Sequence, residues 1–139
     1  MKKLLTAIVF INFLTGCATS LVSREHAKVV PSERLYQPEL VYQDELEKAE
    51  VVIIRDNGFI GSACLHRLWV DNVEVAALDA GEAITLGLTA GPHFMRIEVG
   101  VGMCANMQVS ESLDLRAGDK RLYRVMSDSN FKLSLVRME

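Results

Sequence analysis

The chain has 139 residues, half of them hydrophobic, with 15 basic and 18 acidic side chains and a formal charge of −3. That length is one domain's worth, and a mild acidic balance with interspersed signs argues against nucleic acid and against a polybasic membrane patch. No internal repeat and no low-complexity tract interrupts it.

From the N-terminus, Lys2 and Lys3 precede an apolar run from Leu4 to Leu14, broken only by Thr6 and Asn12. The run is too short to cross a hydrocarbon core, which takes ~20 apolar residues. A charged start, a short apolar run and a small residue before the cut form the pattern of a signal segment. A strand or helix buried in a cytosolic protein is the alternative, but it gives no reason for the three features to coincide. Leu14-Thr15-Gly16-Cys17 resembles a lipobox, the tetrapeptide at which bacteria cleave a lipoprotein precursor. The resemblance implies that residues 1–16 are removed and that Cys17 receives a diacylglyceryl thioether, with an acyl chain such as palmitate on its amine. Two or more chains anchor stably, at about 0.8 kcal/mol per buried methylene, whereas one holds only marginally. Ala18, and not Asp, follows Cys17, which by the enteric sorting pattern implies the outer membrane with the domain in the periplasm; the inner membrane and the cell surface are the alternatives. The leader holds two of the fifteen basic residues and no acid, so the remaining chain carries −5.

Residues 17–48 are polar, contain Pro31 and Pro38, and show no sustained strand pattern. They are expected to form a flexible tether, with one helical turn within 39–49. A coil of about 28 residues would hold the following domain ~30 Å from the membrane. Glu45, Glu47 and Glu50 read as a solvated acidic face.

From residue 49 onward, short apolar or alternating runs are separated by turn residues. Strands are expected over 51–55, 64–70, 73–78, 82–88, 93–99, 103–113, 120–127 and 131–137. Asp71-Asn72 tolerates positive φ and predicts a tight hairpin. Regularly spaced strands without helices between them predict an all-β sandwich or small barrel. Period-2 alternation points Met95, Ile97 and Val99 inward, with Arg96 and Glu98 outward. Ile84, Leu86, Leu88, Tyr123, Val125, Phe131, Leu133 and Leu135 are expected to share that interior.

Val52-Ile53-Ile54-Arg55, Val70-Asp71-Asn72, Leu88-Thr89-Ala90-Gly91-Pro92-His93 and Ala117-Gly118 ahead of Tyr123 follow one another in an order that resembles the PEGA-like β-domains of bacterial lipoproteins. The family's Asp-Gly turn is Asp71-Asn72 here, and its Pro-Gly is Ala90-Gly91. Over residues 51–136 the resemblance implies an immunoglobulin-like sandwich of seven to eight antiparallel strands, with a surface or scaffolding role and no catalysis.

Cys64 and Cys104 remain once Cys17 is lipidated, and an even pair in an exported domain reads first as a disulfide. Closing a loop of 40 positions, it would be worth about 4 kcal/mol in the chain-entropy model. Cys64, His66, His93 and Cys104 are the alternative, a Cys2His2 metal site, although the spacing is not that of a zinc ribbon or finger. Ser62 lacks the second glycine and the strand-to-helix setting of a nucleophile elbow, so it reads as a loop serine, and His66 and Asp71 would join it in a triad only by forced geometry. Gly100-Val101-Gly102 has no helix behind it to make a phosphate loop.

Trp69, with Arg67 on its face, is either an interface anchor or an apolar cap on the sandwich. Arg55 and Phe59, at the corner after the first strand, are the other candidate surface. Together these features lead to an expected non-enzymatic envelope lipoprotein without cofactor or metal, whose β-domain binds or braces another envelope protein or cell-wall component. Inhibition of a secreted hydrolase such as lysozyme is the alternative. No nucleophile–base or carboxylate pair stands out to support an enzyme.

Overall fold

The computed structural model describes residues 19–58, 62–100 and 102–138. Cys17, the leader before it and Phe59 lie outside the described residues. Nine strands occur among the described residues: β1 (Lys28–Val29), β2 (Lys48–Arg55), β3 (His66–Val70), β4 (Val73–Leu78), β5 (Glu82–Thr89), β6 (Gly91–Val99), β7 (Met107–Leu115), β8 (Lys120–Ser127) and β9 (Leu133–Arg137). Two 3-10 turns, Ser32–Arg34 and Pro38–Leu40, follow β1. None of the described helices is long and apolar enough to cross a membrane.

The strands form two sheets, ordered β1-β5-β2-β8-β9 and β4-β3-β6-β7. They pack as a β-sandwich. Eight of the nine strands are those expected from alternation, and β4 and β8 coincide with the expected spans. The immunoglobulin constant domain orders its sheets ABED and CFG. Here the first long strand, β2, lies antiparallel to β5 and parallel to β8.

Alternation explains the core. Met95, Ile97 and Val99 on β6 are buried with Ile84, Leu86 and Leu88 on β5 and with Tyr123 and Val125 on β8. The β3–β4 hairpin turns at Asp71 and Asn72, with φ of 50° and 66°. Positive φ at both central residues is the requirement of a type I′ turn, which Asp and Asn meet more cheaply than most residues. Phe131 departs from expectation. It falls in the β8–β9 turn at φ 58° and is 56% exposed, so the inward face of β9 begins only at Leu133.

The expected free tether is the main correction. Ser20 and Asn57 exchange backbone hydrogen bonds, β1 pairs in parallel with β5, and Val41 bridges Leu86. Val22 is buried against Val52 and Ile54, which are the side chains of β2 that point away from the main core. β2 therefore has two buried faces, and the cover on its outer face is this N-terminal segment. Leu35 and Tyr36 add hydrogen-bonded contact along the edge of β4, through the Leu35–Ala76 bridge and Tyr36 N–H to the Val75 carbonyl. We call residues 19–46 the strap. Glu50, expected on a solvated face, is buried beneath it and paired with Arg24.

Candidate functional site

The outward faces of β3 and β6 meet in one row. Register sets Trp69 opposite Glu74 on one side and Arg96 on the other, with Arg67 opposite Glu98. The Arg67 and Arg96 guanidiniums each lie 5.0 Å from the centre of the Trp69 ring. Cation–π contacts of this kind are worth about 0.5–1 kcal/mol each where partly solvated. Arg67 is also held by two parallel hydrogen bonds of 2.7 Å to Glu74, which keep its guanidinium pKa above the ordinary value. Arg96 Nε sits 2.9 Å from Glu98 Oε1, yet its N–H is not aimed for a hydrogen bond. Trp69 is thus no apolar end-cap. It is a half-buried ring fixed between cations on an open sheet face, with exposed Phe94 nearby on β6.

Arg55 is not at the surface. It continues the inward Val51–Ile53 face of β2 and is 3% exposed. Its guanidinium donates to the Cys64 and Leu78 carbonyls at 2.7 and 2.8 Å and lies 4.0 Å from Asp79. Burial lowers its pKa to about 10, against the opposing pull of Asp79 and Glu82. His66, also buried, has its pKa pushed down to about 3, first by burial and then by the Arg55 charge. Among the described residues, its two ring nitrogens, Asp56 Oδ2 and Ser127 Oγ have no hydrogen-bond partner. All three residues line a cavity of about 10 Å³ with Thr19, Arg55, Gly58 and Val125. That is room for about one water and no substrate.

Cys64 and Cys104 are joined in a disulfide, with their Cα atoms 5.9 Å apart. The metal alternative fails on geometry, because His93 lies at the opposite end of the sandwich from the bridge. Among the described residues no three His, Cys, Asp or Glu side chains group as a metal site. The triad fails as well. Asp71 stands at the far end of β3 from His66, ~17 Å away along an extended strand.

His93 takes part in a different cluster that sequence reading missed. Its Nδ1 lies 2.6 Å from Asp71 Oδ2 and its Nε2 lies 2.9 Å from the Thr89 carbonyl. Asp71 Oδ1 also accepts the Phe94 N–H. Partial burial pushes the Asp71 carboxyl up, but its hydrogen bonds from His93 and Phe94 outweigh this and leave it below the usual range. The pair forms one wall of a wide, shallow groove with Phe94, Ser112 and Asp114.

No protein-family profile and no curated protein sequence matches the chain. Two more pairs bind the strap. Arg34 makes a two-pronged ion pair with Glu82 at 2.7 and 2.5 Å and donates to the Ala77 carbonyl. Burial raises the Glu82 carboxyl, and the Arg34 and Asp79 N–H hydrogen bonds bring it below its ordinary value. Arg124 pairs with Asp56 and donates to the Val22 carbonyl, while Val22 N–H donates to the same carboxylate. The partners stand 34 to 102 positions apart in sequence. No local pattern could have announced them.

Proposed function

We propose that the chain is a non-enzymatic envelope lipoprotein, anchored by Cys17 in the outer membrane, whose periplasmic sandwich binds or braces another envelope component. The observation that carries this reading is Leu14-Thr15-Gly16-Cys17 behind a charged, short apolar leader. The Cys64–Cys104 bridge supports it, since such bonds persist in exported proteins and are rare in the cytosol. The partner surface in this reading is the Arg67–Trp69–Arg96 row. Trp and Arg are the side chains that most often dominate interface energies. Ones already fixed by neighbours lose less rotamer freedom on docking.

Capture of envelope proteins and cell-wall fragments on the lipidated chain is the test, run beside the Trp69→Ala variant. The variant should weaken capture about 30-fold, the equivalent of a ~2 kcal/mol hot spot. Unchanged capture would move the partner surface elsewhere. A lysozyme inhibition assay on the same protein separates bracing from hydrolase inhibition.

A further inference from the structure

Strand register gathers four connections at one end of the sandwich. β2 and β8 run parallel and finish there at Arg55 and Ser127. β3 begins there and β6 finishes there, because Arg67 pairs with Glu98. Residues 56–58, 62–65, 79–81, 102–106 and 128–132 therefore share this end. The strap enters at the same place. Thr19 Oγ1 donates to the Ser127 carbonyl at 3.0 Å, and the Ser20–Asn57 backbone bonds are 2.8 and 3.1 Å.

In the sequence only Ala18 separates Thr19 from Cys17. A chain spans at most ~3.6 Å per residue, so the Cys17 Cα is within ~7 Å of that of Thr19. A lipid on Cys17 thus leaves no tether to hold the domain tens of ångströms away. The same end exposes Leu21, Leu65, Met103 and Phe131. The Cys64–Cys104 bridge ties the connection carrying Met103 to Leu65. Phe131 is held outward by a turn in which its N–H donates to the Asp128 carbonyl. The Asp128 carboxylate is already occupied by the Asn130 and Lys132 N–H groups, each at 2.9 Å.

We propose that this end of the sandwich is a lipid-contact surface, with Leu21, Leu65, Met103 and Phe131 resting in the headgroup region of the membrane that holds Cys17. The inference rests on the lipoprotein reading. Single apolar side chains bind a bilayer weakly, but a covalent lipid makes their contact intramolecular, and weak insertion then suffices. The opposite end, with the Asp71-Asn72 turn and the His93 groove, projects away from the bilayer, a strand of eight residues spanning ~26 Å.

The test uses the full lipidated chain in vesicles of phosphatidylethanolamine and phosphatidylglycerol, with bromine on the acyl chains close to the glycerol. Met103→Trp, Phe131→Trp and, at the opposite end, Leu46→Trp are each placed in a Trp69→Phe background. Fatty-acid labelling of the same samples reports whether the anchor is present. Loss of emission at positions 103 and 131 and its retention at 46 is the expected result. Labelled protein that shows no loss at 103 and 131, or equal loss at 46, overturns the contact surface and leaves the lipoprotein reading standing. Absence of label overturns both.

Discussion

Asp56→Ala cuts the link between the strap and the sandwich at its most buried point. The Asp56 side chain is fully buried and that of Arg124 is 11% exposed. The carboxylate accepts from Arg124 and from Val22 N–H at 2.8 Å, and Arg124 also donates to the Val22 carbonyl at 2.8 Å. Removing one member of a buried ion pair strands the other, at a cost of about 3–5 kcal/mol. The orphaned Val22 N–H adds about 1 kcal/mol, and the water that reaches Arg124 takes a similar amount back. We expect a net loss of about 3–5 kcal/mol, which at a urea slope of ~1.5 kcal/mol/M lowers the midpoint by ~2–3 M. Amide exchange supplies a local reading, because Lys28 and Val30 donate to the Gly81 and Ala83 carbonyls only while the strap is docked. Both should exchange faster in the variant. Arg124→Met added to Asp56→Ala should recover part of the loss, since the stranded charge is gone. A midpoint moved by less than ~0.5 M, with Lys28 and Val30 exchange unchanged, would refute the docked strap and restore the free tether.

Replacing both Cys64 and Cys104 by Ser should lower stability by about 4 kcal/mol, from the entropy of the 40-residue loop, and thermal melting reads this directly. Intact mass of the exported protein should rise by two hydrogens on reduction; free thiols in oxidised, folded protein would count against the bridge. His66, held near pKa 3 in the fold against about 6.5 unfolded, binds its proton more readily in the unfolded chain. Stability should therefore fall as pH drops from about 6.5 towards 3, by at most about 1.4 kcal/mol per unit, and His66→Phe should flatten that slope in urea titrations. Cys17→Ser should abolish incorporation of labelled fatty acid, and persistence of label in the serine variant would remove the anchor.

What the sequence by itself determined is what short windows encode. Alternation along 95–99 and 84–88 decided which side chains point inward, since successive residues of a strand face opposite ways. Asp71-Asn72 decided the hairpin, because so few residue pairs accept positive φ twice. The one pair of cysteines beyond Cys17 made a bridge the first reading, which the structure then bore out. What a window cannot say is what covers a face once it is set. Val52 and Ile54 were legible as strand residues, yet only the tertiary structure lays Val22 over them and turns a polar, proline-bearing stretch into a strap. Arg55 ends an apolar run, where a charge reads as surface; its alternation places it inward, and the carbonyls of Cys64 and Leu78 make that position tolerable. Cys64, His66, His93 and Cys104 were close enough in type to suggest one metal site, until strand direction put His93 at the opposite end. Trp69 was ambiguous for the same reason: Arg96, 27 positions on, becomes its neighbour only through the pairing of β3 with β6. Local chemistry chooses the face of each element, and contacts between distant segments choose what that face meets.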